Sequence, residues 1–134
     1  MNNLRETLQS LLKSIHPDII VGEESISRVY FQYSSSKAIF PYIVYDLPNS
    51  FTDEEQEIFN LDMDIYDNQS DSTNLEQLTN LFWKKLHYYS YIDDNIQFTI
   101  YRENRLPPFD EDKRLKRRKL IFQLRYYDRG LNDE

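Results

Sequence analysis

Asp62 and Asp64 stand two residues apart in the run Phe59-Asn60-Leu61-Asp62-Met63-Asp64-Ile65. In an extended chain, residues at that spacing share one face. With Asp46 or Glu57 brought alongside from a neighbouring strand, the two carboxylates could hold a divalent cation or share a proton. The plainer account is that alternation in any half-buried strand yields solvated, unreactive acid pairs of this kind, and it is preferred here. Asp93 and Asp94 read likewise as turn acids, without the spacing of a calcium loop.

Other chemistries lack parts. His16 and His87 are the two histidines and are far apart in sequence, which gives no histidine-rich metal set and little for acyl transfer. His16 falls where a first helix should end, and a positive ring there would suit the helix dipole. The absence of cysteine removes disulfides, thiolate nucleophiles, iron–sulfur clusters and cysteine zinc sites. Gly22 and Gly130 are isolated, so no phosphate loop or dinucleotide turn can be built. The expectation is a protein that is not an enzyme and takes no cofactor and no metal.

Charge is distributed unevenly. Sixteen Lys and Arg face 23 Asp and Glu, for a net −7. No basic residue lies between Lys37 and Lys84, a stretch that holds Asp46, Asp53, Glu54, Glu55, Glu57, Asp62, Asp64, Asp67, Asp71 and Glu76. Near the other end, Lys113, Arg114, Lys116, Arg117, Arg118 and Lys119 run almost continuously, preceded by Arg102 and Arg105. Opposed patches of this kind can pair within one fold or between neighbouring subunits. The alternative function is a small nucleic-acid-binding protein that uses the basic 113–119 segment on phosphates, with Tyr126 and Tyr127 as stacking surfaces. Alternation weakens it, because successive strand residues face opposite ways. Trp83 and Tyr89 flank a helix face as interface anchors or as partly buried core.

These residues need elements to carry them. Leu4, Leu8, Leu11, Leu12 and Ile15 form one apolar stripe and predict a helix over 3–16, closed by Pro17. Strands are expected from Arg28 to Tyr33 and from Phe40 to Leu47, the latter with Tyr42 and Val44 opposite Ile43, Tyr45 and Leu47. Thr52 to Gln56 reads as a polar connection. From Phe59, the apolar residues Phe59, Leu61, Met63 and Ile65 alternate with Asn60, Asp62, Asp64 and Tyr66. Thr73 and Glu76 suggest a capping box for a helix over 73–88, striped by Leu75, Leu78, Leu81, Phe82 and Leu86. Strands then follow through Ile96, Phe98 and Ile100 to Arg105, and from Leu115 through Leu120, Phe122, Leu124 and Tyr126, separated by an excursion at Pro107 and Pro108. The order predicts an α+β fold, a mainly antiparallel sheet covered by two helices.

At 134 residues the chain is expected to form one domain over 1–134. Aromatics reach 15%, with eleven Tyr and eight Phe, a composition suited to cores and interfaces. No apolar run is long enough to span a membrane, and Asn2, Asn3, Arg5 and Glu6 do not read as a secretory leader. Synthesis in a cell's cytoplasm is expected, with no membrane partner.

Three groups of residues carry a family resemblance. Arg28-Val-Tyr-Phe-Gln with Phe40-Pro-Tyr-Ile-Val-Tyr is the first, and Leu61-Asp-Met-Asp-Ile-Tyr-Asp with Ser72-Thr-Asn-Leu-Glu-Gln-Leu the second. Phe98-Thr-Ile-Tyr-Arg-Glu-Asn-Arg, the Pro107-Pro108 excursion and Lys116-Arg-Arg-Lys-Leu-Ile-Phe complete the set. In order and spacing, over roughly residues 25–128, the chain resembles the tail completion proteins of long-tailed bacteriophages of Gram-positive hosts. These are also called tail-to-head joining proteins or tail terminators. Tyr66 departs from the pattern where Trp is expected, and the run Tyr88-Tyr-Ser-Tyr is additional.

The resemblance implies a tail-terminator-like fold and a homo-oligomeric ring, usually a hexamer, on the head-proximal end of the tail tube. Such a ring ends tail polymerisation and joins the tube to the head completion or connector protein. DNA passes through it without sequence-specific binding, and the location implied is the head–tail junction of the virion. The residues it implies are architectural: Tyr42, Tyr45, Asp62, Asp64, Tyr66, Arg102, Arg105, Arg117 and Arg118. With the charge pattern, the expected interface set is Arg102, Arg105, Pro107, Pro108, Arg117 and Arg118 against Asp53, Glu54, Glu55, Asp62, Asp64 and Asp71, with Tyr42, Tyr45, Tyr66 and Trp83 as aromatic anchors.

Overall fold

A computed structural model describes residues 2–106 and 115–129. The first helix, α1 (Asn2–Ile15), exists because its leucines recur on one side: Leu4, Leu8 and Leu12 are fully buried, and Leu11 and Ile15 pack at the margin. Pro17, with no N–H to donate, ends it, and the His16 N–H makes the last bond, to the Leu12 carbonyl at 2.9 Å. A separate hairpin follows, β1 (Ile19–Val21) and β2 (Glu24–Ile26), turning at Gly22 with φ +66°.

The main sheet comprises β3 (Val29–Phe31), β4 (Tyr42–Asp46), β5 (Ser50–Asp53), β6 (Gln56–Asp67), β7 (Ser90–Ile92), β8 (Ile96–Arg105) and β9 (Lys116–Asp128). Its order is β3-β4-β6-β9-β8-β7, with β5 also paired to β6. The β3–β4 pair is parallel and the others are antiparallel. The long strand β6 organises two levels. Its C-terminal half pairs β4, from Tyr42 opposite Tyr66 to Asp46 opposite Asp62, and its N-terminal end pairs β5, from Ser50 opposite Phe59 to Asp53 opposite Gln56. On its other side β9 accompanies it from Glu57 to Asp67.

Alternation decides which face is covered. Leu61, Met63 and Ile65 of β6, Leu120, Phe122 and Leu124 of β9, and Phe98 and Ile100 of β8 are fully buried. They meet the α1 leucines and Leu75, Phe82 and Leu86 of α2 (Thr73–Leu86) in one core. Burying each such side chain is worth about 1.5–3 kcal/mol. The fold is therefore α+β, with two helices packed against a mixed, mostly antiparallel sheet. No helix among the described residues is long and apolar enough to cross a membrane.

Four local expectations need correction. Ser50–Asp53 is a strand, although Thr52 to Gln56 reads as a connection: the free edge of β6 offers ladder hydrogen bonds to a segment whose side chains, Phe51 included, are all exposed. No capping box forms at α2. The Thr73 hydroxyl and N–H both donate to Asp71 Oδ1, at 2.7 and 3.0 Å, and Glu76 turns instead to arginines of the sheet. The helix stops at Leu86 rather than Tyr88, because His87 leaves it at ψ 125° and Tyr88 adopts φ +64°. His16 is packed into the core rather than displayed at the helix end. It is buried against Phe82 and Pro41, with Nε2–H donating to the Pro41 carbonyl at 2.7 Å, and burial lowers its pKa.

Candidate functional site

The face of the sheet opposite the helices brings Asp46, Asp62 and Asp64 together. Asp46 lies opposite Asp62 across β4 and β6, and Asp64 lies opposite Lys119 across β6 and β9. The Lys119 ammonium sits 3.5 Å from Asp64 Oδ2 and 3.9 Å from Asp62 Oδ2, and Arg117 Nε is 4.0 Å from Asp64 Oδ1. Burial raises the Asp62 pKa; Lys119 opposes the shift, while Asp64 and Asp46 add to it. Asp46 is turned to its own backbone, accepting from the Leu47 N–H at 2.8 Å. Glu57 lies away from these acids, at the other end of β6, where it accepts from Ser50. Among the described residues, no three acids or histidines are gathered so as to hold a metal ion. This arrangement sets two cations of β9 against the acids of β6.

The basic segment is divided between two faces, as strand parity requires. Arg117 and Lys119 meet the acids of the open face. Arg118 is buried under α2, where it donates to Glu76, whose other oxygen lies 3.8 Å from Arg105. Lys116 donates to the Ser70 carbonyl at 2.7 Å. A continuous wall of cations for phosphates is therefore not formed by residues 115–119. Pro107, Pro108, Lys113 and Arg114 lie outside the described residues.

Arg102 and Trp83 form a third unit. The guanidinium lies 5.0 Å from the centre of the Trp83 ring and donates to the Trp83 carbonyl at 2.9 Å, while the ring packs on Phe122 at 5.4 Å. Tyr42 and Tyr66 stack at 5.2 Å on the open face, joined by Phe40 and Tyr30. Tyr45 belongs to the opposite face and is buried. Its hydroxyl donates to Gln9 Oε1 at 2.7 Å, and burial pushes its pKa up to about 12. The four aromatic candidates thus form three separate environments.

Asp53, Glu54 and Glu55 sit exposed at the β5–β6 turn, with Glu54 at φ +57°. They make no ion pair among the described residues, and Phe51 beside them is 54% exposed. Asp71 is also exposed, and its hydrogen bonds from Thr73 lower its pKa. Sequence reasoning missed a basic corner where α2 ends: Lys84 and Lys85 are exposed and without an ion pair among the described residues, and Tyr88 next to them is 68% exposed. The two lysines in the last helical turn ahead of the tyrosine run were the available signal.

The fold has a counterpart among solved structures. A chain from a structure described as "Virion of native gene transfer agent (GTA) particle" superposes with a TM-score of 0.61. The match covers 88% of this chain and 85% of that one, at 10% sequence identity, so the likeness is one of fold. No protein-family model matches the sequence, and no curated protein does.

Proposed function

We propose that this chain is a structural, non-catalytic virion protein that forms a ring on the head-proximal end of a phage-type tail tube. In this role it ends tube polymerisation and joins the tail to the head connector around the DNA channel. The observation that carries the reading is the fold likeness to a chain of a gene transfer agent virion, which spans nearly the whole of both chains. The ordered resemblance of residues 25–128 to tail completion proteins supports the same role.

The site chemistry is compatible with it. Acids and bases of the open face lie against one another, and exposed aromatics sit at the edges beside charges that form no ion pair among the described residues, where neighbours would meet. Asp53, Glu54 and Glu55 are retained as interface residues, and a ring of six copies is the expected assembly. The test is to add the purified chain to polymerising tail-tube protein and image the products. Tubes should become shorter with dose and carry extra density at one end. Unchanged tube lengths with bare ends would refute the role.

A further inference from the structure

At the lower level of the sheet, five strands lie in one row, β5-β6-β9-β8-β7. Phe51 pairs with Ile58, Ile58 with Arg125, Arg125 with Thr99, and Thr99 with Ser90. The strands β5 and β7 are the two free edges of that row, separated by four inter-strand steps of about 4.8 Å, or roughly 19 Å. Each edge carries a residue at positive φ where glycine would be the ordinary choice: Glu54 at +57° beside β5, and Tyr88 at +64° just before β7. An L-residue in that conformation costs about 1–2 kcal/mol. The chain bears this strain at both edges while exposing a carboxylate at one and an aromatic ring at the other.

The two edges are complementary. The β5 edge presents Phe51 with Asp53, Glu54 and Glu55, and the far edge presents Tyr88 with Lys84 and Lys85. Each joins an exposed aromatic to charges of one sign that form no ion pair among the described residues, and the signs are opposite. Because the patches sit at opposite ends of one sheet, they cannot satisfy each other within a copy. A second copy can satisfy both, through a heterologous contact that repeats around a closed ring.

We infer that the acidic β5–β6 turn of one copy docks on the Lys84–Lys85–Tyr88 corner of the next. This inference rests on the ring reading and names the surfaces that would build it. The test uses two charge-reversed forms, D53K/E54K/E55K and K84E/K85E, examined by sedimentation velocity and native mass spectrometry over a wide range of concentration. Each form alone should associate at least about tenfold more weakly than the wild type. An equal mixture should recover association as alternating copies, because every contact then again joins opposite charges.

Glu54→Gly separates an interface role from a merely local one. It should hold or raise the Tm by relieving the positive φ, while weakening association. A wild type that assembles, with both reversed forms assembling equally well alone, overturns this inference and leaves the ring intact. A wild type that stays monomeric and ignores tail tubes overturns the ring reading, and this inference with it.

Discussion

Lys119 and Asp64 face each other across the β6–β9 ladder, with the ammonium 3.5 Å from one carboxylate and 3.9 Å from that of Asp62. One cation thus serves two half-buried acids at the centre of the sheet. Burial, with the neighbouring Asp64 and Asp46 adding to it, makes Asp62 hold its proton more tightly than usual despite Lys119. Arg117, 4.0 Å from Asp64, relieves part of the imbalance. The carboxylates that best suggest acid–base chemistry in the sequence are therefore occupied in holding two central strands together.

Lys119→Met should destabilise the fold by about 1–2 kcal/mol at neutral pH, because it leaves two partly buried like charges with less compensation. The pH dependence follows from the sign of the Asp62 shift. A carboxyl whose folded pKa is raised favours the fold below its ordinary value of 3.8 and loses that contribution as pH rises through the raised value. Removing Lys119 enlarges the shift. The stability gap between variant and wild type should therefore be widest at neutral pH and narrow on acidification, as read by denaturant melts at several pH values. A gap independent of pH would point to packing alone.

His16 gives the opposite sign. Burial lowers its pKa from the ordinary 6.5, so the unfolded chain takes up the proton first. Its contribution to stability is complete above 6.5 and is lost as pH falls through the lowered folded value. His16→Gln, which can still donate to the Pro41 carbonyl, should abolish this part of the acid sensitivity with little loss at neutral pH. Thermal melts from neutral to mildly acidic pH read the difference. An unchanged profile would show that His16 is protonated in the fold as readily as out of it.

Strand parity made much of this molecule legible. Alternation from Phe59 to Ile65 and from Leu120 to Tyr126 correctly assigns the covered face, and the same parity puts Arg118 with Leu120, Phe122 and Leu124 rather than with the solvated cations. The sign of its burial was present in the sequence but was outweighed by its place in a basic run. The strands β1, β2, β5 and β7 were not legible. They are three or four residues long, carry no apolar alternation and depend on hydrogen bonds offered by a neighbour. Nor could local sequence place Glu76 or Lys84, because the roles of both depend on where α2 crosses the sheet.

Glu76→Gln should cost about 1–3 kcal/mol, because it leaves the buried Arg118 guanidinium facing a neutral amide and takes the nearby Arg105 partner away as well. Glu76 is itself 41% exposed, which keeps the figure below that for a sealed pair. Glu76→Gln combined with Arg118→Met should recover part of the loss by removing the buried charge. Equilibrium unfolding of the four forms as a double-mutant cycle measures the coupling. A coupling near zero would mean that the two side chains act independently.

Gln9 carries the last of these relationships, because it ties α1 to the sheet edge through two bonds at once. Its Oε1 accepts from the Tyr45 hydroxyl at 2.7 Å and its Nε2 donates to the Val29 carbonyl at 2.9 Å. Tyr45→Phe strands the amide oxygen and should cost about 1 kcal/mol, while Gln9→Met strands the hydroxyl, leaves the Val29 carbonyl with the Ser27 hydroxyl as its side-chain donor, and should cost about 1–2 kcal/mol. The pair of substitutions together should cost less than the sum, since no orphaned hydroxyl remains. Hydrogen exchange localises the effect: the amides of Val29–Phe31 should lose protection in the Gln9 variant well before those of β6 and β9, because this short strand has only β4 on its other side. Loss of protection spread evenly over the sheet would mean that β3 opens with the whole fold and that Gln9 adds nothing local to it.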